Sequence, residues 1–265
     1  MIVYFSGTGN TAMAATLLAE KLGDDQLLPL DTDMLLHPDR HTLAPANGRL
    51  VWAFPVYSWG IPPAMVNFMR NVGLSREALQ ASHYMLVTCG DDIGYTDRLW
   101  RREMAHRGLK AEAAFAVEMP NTYVCMKGFD VDSAELERKK LEAAPAAVAR
   151  IADAILNNGG DIPIRLSFSR VKTYIIYPWF VRFGTSPRPF HSTDQCVGCG
   201  RCAAACPLRN ITMRGGHPAW ADNCTLCLRC YHTCPVHAVA YGRQTARKGQ
   251  YTAALPCLPI NRPSK

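Results

Sequence analysis

Eight of the eleven cysteines in this 265-residue chain fall between positions 196 and 234, and their spacing restricts what the chain can fold into more than any other feature. Cys196, Cys199, Cys202 and Cys206 are followed 28 residues later by Cys224, Cys227, Cys230 and Cys234, so that two copies of CxxCxxCxxxCP stand in tandem, closed by Pro207 and Pro235. Self-similarity at a fixed separation is an internal repeat. Met1 leads straight into Ile2-Val3-Tyr4-Phe5, with no basic stretch and no cleavage site, so we expect no secretory leader and a cytoplasmic location. In that compartment thiols stay reduced, and clustered cysteines point to metal rather than to disulfides. Zinc sites use two pairs of ligands separated by a longer arm, whereas steps of three, three and four residues suit iron-sulfur ligation.

The spacing is similar to that of the bacterial two-cluster ferredoxins. Three cysteines at three-residue steps wrap one face of a cubane, and the fourth, after a proline-closed turn, points its sulfur toward the neighbouring cluster. The expected ligand sets therefore cross over: Cys196, Cys199, Cys202 and Cys234 for one [4Fe-4S] cluster, and Cys206, Cys224, Cys227 and Cys230 for the other. Gly198 and Gly200 let backbone N–H groups approach the sulfurs.

Charge is divided as unevenly as cysteine. Residues 1–160 carry 15 Lys and Arg against 19 Asp and Glu, and residues 161–265 carry 14 against 3, which gives −4 and +11 within the total of +7. Each oxidised cluster with its thiolates adds roughly −2, which brings the basic half to about +7. No aromatic-interleaved nucleic-acid motif accompanies the charge, so we expect a docking face for redox partner proteins and no nucleic acid.

In the acidic half, the apolar run 2–6 ends at Ser6 and is followed by Gly7-Thr8-Gly9-Asn10-Thr11 and an amphipathic stretch from Ala12 to Leu22 that stops at Gly23. This reads as strand, phosphate-type loop and helix. Further strand-like runs at Leu27–Leu30, Leu50–Phe54, Tyr84–Thr88 and Ala114–Glu118 alternate with helix-compatible segments, which predicts a five-stranded, doubly wound parallel sheet of the α/β class. The first loop lacks the Gly-Lys-Ser/Thr of a Walker motif. It satisfies the loose dinucleotide pattern through Gly7, Gly9 and Ala12, with Asp31 downstream. Its hydroxyls and amide suit a terminal phosphate at a helix N-terminus instead, and both readings stand on the loop alone. The third strand ends in Pro55-Val56-Tyr57-Ser58-Trp59-Gly60, where a flat ring would stack. The fourth ends in Thr88-Cys89-Gly90-Asp91-Asp92-Ile93-Gly94-Tyr95.

SGTGNT, PVYSWG and TCGDDIGY, in that order, resemble the phosphate loop and the two ring-clamping loops of flavodoxins over roughly residues 1–158. The resemblance implies FMN as cofactor, Trp59 and Tyr95 as the stacking side chains, and Cys89, Gly90 and Asp91 near the pyrimidine edge. The chain as a whole resembles a flavodoxin-ferredoxin fusion, a family found mostly in anaerobic bacteria. The expected organisation is an FMN-binding unit at 1–160, a basic aromatic connector at 161–189, a small α+β ferredoxin unit at 190–245 and a tail at 246–265. The connector, Tyr174 to Val181 between Lys172 and Arg182, is too short to span a bilayer and is expected to pack one unit against the other. Cys89, Cys125 and Cys257 are expected to be small buried residues. The fusion implies an electron-transfer protein relaying single electrons between clusters and flavin. The alternative is an FMN-dependent reductase of a small-molecule acceptor fed by its own ferredoxin unit.

Overall fold

The computed structural model describes residues 1–24, 26–245 and 247–251. Cys257 lies outside the described residues, as does most of the 246–265 tail. The chain forms two compact units: residues 1–6, 10–120 and 133–184 make the first, and residues 7–9, 121–132 and those described from 185 onward make the second. The segment expected as a connector thus belongs, up to Gly184, to the first unit.

Strands β1 (Ile2–Tyr4), β2 (Leu27–Pro29), β3 (Arg49–Pro55), β4 (Ser82–Cys89) and β5 (Ala111–Glu118) build the first unit. They pair as a parallel sheet in the order β2-β1-β3-β4-β5, the flavodoxin-like arrangement, whose ligand crevice opens between β1 and β3 at the carboxyl ends of the strands. Central strands of such a sheet are covered on both faces and read as continuous apolar runs. Leu50 to Phe54 and Tyr84 to Val87 are buried throughout. Helices α1 (Asn10–Leu22), α2 (Pro63–Asn71), α3 (Thr96–His106) and α4 (Ala134–Leu156) supply the cover.

The core also contains one polar pair. Trp52 Nε1 donates to His83 Nδ1 at 3.0 Å, and His83 Nε2 lies 3.0 Å from the Ala78 carbonyl oxygen, so the ring is held as one neutral tautomer. Burial lowers the His83 pKa. Beyond α4 the chain returns to the sheet: Ala116 N–H donates to Ile162 O at 2.9 Å and Ile162 N–H to Ala114 O at 3.0 Å, which covers part of the open edge of β5.

The second unit is built from β6 (Phe190–Ser192), β7 (Ile211–Arg214), β8 (His217–Trp220) and β9 (Val239–Tyr241). Antiparallel pairing joins β6 to β9 and β7 to β8. Gly215 and Gly216 turn the β7-β8 hairpin with φ of 55° and 82°, the left-handed pair that a two-residue hairpin loop requires. Short helical turns at Arg201–Ala205 and Arg229–His232 begin 28 residues apart, so the internal repeat of the sequence is also a repeat of structure. Residues 121–132 pack here. His232 Nε2 donates to Thr122 O at 2.8 Å, Lys248 Nζ to Val124 O at 2.8 Å, and Gly249 N–H to Asp130 Oδ1 at 2.9 Å.

Candidate cofactor sites

Two cavities lie in the second unit. One is lined by Cys206, Cys224, Cys227 and Cys230, with Phe190, Leu208 and Trp220 among its apolar walls. The other is lined by Cys196, Cys199, Cys202 and Cys234, with Met213, Pro218 and Val239. Both are partly open to solvent and lined by cysteines of both repeats. Each combines three cysteines of one repeat with the fourth cysteine of the other.

Local backbone geometry explains how the motif makes this chamber. Gly198 and Gly200 have φ of 68° and 71°, and their counterparts 28 residues on, Leu226 and Leu228, have 55° and 57°. Arg209 and His237 form a third such pair at 47° and 52°. The turns following the fourth cysteines aim Asn210 N–H at Cys206 Sγ (3.3 Å) and Ala238 N–H at Cys234 Sγ (3.2 Å). Leu226 N–H reaches Cys224 Sγ at 3.3 Å. Glycine takes the left-handed conformation freely, whereas leucine there costs roughly 1–2 kcal/mol. Leu226 and Leu228 are buried, and that burial offsets the strain. A Cβ on Gly198 would meet the Gly216 carbonyl oxygen at 3.0 Å, so the first repeat has no room for the same side chain. Burial pushes the Cys224 thiol up to about 12 and that of Cys230 well above its ordinary value.

In the first unit, polar side chains flanking the phosphate-type turn are held by hydrogen bonds. Ala12 N–H donates to Ser6 Oγ at 3.3 Å, the Thr11 and Thr88 hydroxyls share a bond of 2.8 Å, and Asn10 Nδ2 donates to Pro120 O at 2.8 Å. The N-terminal end of α1 carries the positive end of its helix dipole, which favours anions. Gly9, at φ 104°, is a position at which a side chain would be strained. Within the second unit, Arg229 Nε donates to Gly7 O at 2.8 Å. Asp31, the acidic residue of the dinucleotide reading, is the N-cap of the helix Thr32–Leu36 and accepts from Met34 N–H at 2.9 Å.

The loop after β3 is a tight turn. Tyr57 N–H donates to Gly60 O (2.9 Å) and Gly60 N–H to Tyr57 O (3.1 Å), with Ser58 and Trp59 at φ of 47° and 61°. Pro55 ends β3, and Val56 N–H ties the loop to Thr88 O at 2.9 Å. Such turns ordinarily use Asn and Gly. A tryptophan held left-handed signals a position where geometry serves a purpose, here the presentation of a half-exposed indole.

Helical segments Ser169–Val171, Lys172–Ile176, Tyr177–Trp179 and Phe180–Gly184 follow one another, alternately α and π, and their inner face stabilises that turn. Thr173 Oγ donates to Trp59 O at 3.1 Å and accepts from Tyr95 N–H at 2.8 Å, so one hydroxyl bridges the loops after β3 and β4. Tyr177 lies flat against Gly60, where any Cβ would overlap its ring, and its hydroxyl donates to Ile61 O at 2.7 Å. Lys172 Nζ is 5.1 Å from the Trp59 ring centroid and 2.6 Å from Asp92 Oδ2. The fully buried Asp92 carboxylate also accepts from Gly94 N–H at 2.8 Å and Leu166 N–H at 3.2 Å. Arg165 pairs with Asp97 and donates to Gly94 O at 3.1 Å.

In the third loop the predicted residues take the following places. Tyr95 has the Arg98 guanidinium 3.9 Å over its ring, so one of its faces is already engaged by a cation. Cys89 is buried with Sγ toward Val117 O, and burial together with Asp91, Asp92 and Glu118 raises its thiol pKa; only its backbone is available to a ligand. Gly90 O accepts from Lys140 Nζ at 2.7 Å, and Asp91 is exposed beside it. Thr173, Tyr177, Lys172 and Asp92 were not among the sequence candidates. The Tyr-rich run at 174–177 was the available signal, but its partners lie more than 75 residues away in the chain.

Residues 188–235 match the family model of the 4Fe-4S dicluster domain. No curated protein matches the chain. Among solved structures, the Trp repressor binding protein of Bacillus subtilis is similar at 14% identity, covering 56% of this chain and 97% of its own, with a TM-score of 0.34. A flavodoxin of Streptococcus pneumoniae TIGR4 has 20% identity, coverage of 57% and 97%, and a TM-score of 0.28. An FMN-dependent NADH-azoreductase from Bacillus anthracis in complex with FMN has 10% identity, coverage of 57% and 98%, and a TM-score of 0.33. The protein is thus an iron-sulfur redox protein with a flavodoxin-like sheet in its first unit.

Proposed function

We propose that the chain is an electron-transfer protein carrying two [4Fe-4S] clusters and one FMN, in the manner of a flavodoxin-ferredoxin fusion. The observation that carries this reading is the pair of cavities, each lined by three cysteines of one repeat and the fourth of the other. When bound, the clusters exchange single electrons and FMN exchanges either one or two, which lets one-electron and two-electron chemistry meet in one chain.

The protein's own groups set the conditions. The Asn210, Ala238 and Leu226 N–H groups donate to cysteine sulfurs, which draws charge from the thiolates and tunes potential. Phe190 stacks on Trp220 with ring centroids 5.4 Å apart and, with Leu208, walls one cavity against water. On the flavin side, the N-terminal end of α1 would receive the phosphate, Trp59 would offer the stacking surface, and the Thr173 bridge fixes the separation of the loops after β3 and β4. The hydroxyls and amide of Ser6, Thr8, Asn10 and Thr11 suit a terminal phosphate, which favours FMN over a dinucleotide.

An anaerobic reductive titration of reconstituted protein tests the reading. We expect cluster signals in electron paramagnetic resonance and flavin bleaching in absorbance to respond in one titration, with reoxidation by a redox partner protein. Iron uptake without flavin binding would remove the relay. Rapid turnover of a small organic acceptor over the ring would replace the carrier with the reductase.

A further inference from the structure

The outer face of the helical segment 169–184 has no role in clamping the loops, and its composition is unusual. Phe168, Ile175, Trp179 and Phe183 are 78%, 65%, 60% and 57% exposed. Val171, Ile175, Trp179 and Phe183 recur every four residues. An α-helix has 3.6 residues per turn and a π-type turn has more, so in this alternating segment a strict four-residue repeat stays on one side as a straight stripe. Arg170 and Arg182 are exposed on the same segment, and Trp179 and Phe183 pack together with centroids 5.9 Å apart. From Ile162 to Thr193 the sequence contains five basic residues and no acidic one. The basic groups nearest the inner face are already matched, Lys172 by Asp92 and Arg165 by Asp97. The outer face therefore combines aromatic and branched apolar side chains with arginines and lacks any carboxylate of its own.

We propose that this stripe is an interfacial anchor that lays the first unit on an anionic lipid bilayer. Aromatic and aliphatic side chains enter the boundary between headgroups and acyl chains, and the flanking arginines meet the anionic headgroups. No helix among the described residues is long and apolar enough to cross a membrane, so the attachment is to the surface. A protein partner of ordinary kind would place carboxylates opposite Arg170 and Arg182 but would leave a stripe this apolar without a matching groove of stated chemistry. A lipid surface supplies both from one material. The anchor does not depend on the bound flavin.

The test is flotation of the full-length protein with vesicles of phosphatidylglycerol and phosphatidylcholine, against phosphatidylcholine alone, across a salt series. We expect binding to the anionic vesicles that weakens with salt. Trp179→Glu and Ile175→Glu should each weaken it at least about tenfold, while Leu156→Glu, an exposed apolar position on α4, leaves it unchanged. Iron content and circular dichroism of the variants should match those of the parent, since both positions are solvent-facing. Absence of binding to anionic vesicles overturns the proposal, as does equal binding by the stripe variants. A concentration-dependent dimer that Trp179→Glu dissociates, without vesicle binding, would assign the stripe to a second copy of the chain and equally overturn it.

Discussion

In the first unit, Trp52, Trp100, Phe5, Phe54, Phe68 and Phe115 are sealed between the sheet and its helices; in the second, Tyr231 alone belongs among the largest fully buried side chains of the described residues. Where the first unit has aromatic rings at its centre, the second has two chambers lined by cysteine. The first unit carries its stability in apolar area, at about 25 cal/mol per Å² buried. The second buries far less aromatic area, and we expect bound clusters to contribute part of its folding energy. The difference predicts which perturbation each unit resists.

Removal of iron is the strongest way to separate them. Anaerobic chelation should raise hydrogen exchange in β6 to β9 to the rates of an unfolded chain, while β3 and β4 keep their protection. Protection of β6 to β9 that persists without iron would erase the contrast. Cys206→Ala sharpens it within the second unit: iron should fall from about eight to about four atoms per chain, with loss of the cluster assigned to Cys224, Cys227 and Cys230. Loss of the other cluster instead would refute crossed ligation. The reverse experiment is Trp52→Ala, which should destabilise the first unit by about 3–5 kcal/mol in denaturant titration and leave iron content intact.

Smaller effects address the flavin side. Gly60→Ala forces Tyr177 off the turn and should weaken FMN binding on the order of tenfold, about 1.4 kcal/mol, as read by quenching of flavin fluorescence. Unchanged affinity would mean that the Tyr57–Gly60 turn is not part of the ring site. His83 gives the smallest effect. Its folded pKa lies below the ordinary 6.5 because of burial, so the unfolded chain takes up the proton first as pH falls. Its contribution is complete above pH 6.5 and declines below it, by on the order of 1 kcal/mol per pH unit at most. First-unit stability should therefore fall more steeply between pH 6.5 and 5 than in a His83→Gln variant, and parallel slopes would show that His83 does not titrate with unfolding.

The two regions also differ in how far sequence reveals them. The five strands of the first sheet and the phosphate-type turn were legible because hydrophobic runs and Gly-rich turns are local signals. The crossed cysteine sets follow from spacing together with resemblance to two-cluster ferredoxins, and the cavities are lined by the same sets. Contacts spanning long stretches of chain were not legible. Nothing local marks Thr173 as the bridge between Trp59 and Tyr95, and nothing near Gly7 or Thr122 announces Arg229 or His232 as a partner. The aromatic run at 174–181 was visible as a feature, but its division into a clamping inner face and a lipid-like outer stripe depends on helical phase, which the π-type turns shift. Leu226 and Leu228 stand where the first repeat has glycine, so reading glycine as the marker of left-handed backbone finds only one of the two turns.

The central claim is that one chain joins a flavin-binding unit to a two-cluster unit. Its most direct test is quantification of flavin, iron and acid-labile sulfide on a single anaerobically purified, reconstituted sample. The account predicts about one FMN with about eight iron and eight sulfide per chain. Eight iron with no flavin, at FMN concentrations that saturate ordinary flavodoxin-like sites, would contradict it and reopen the dinucleotide reading of the Gly7–Thr11 loop.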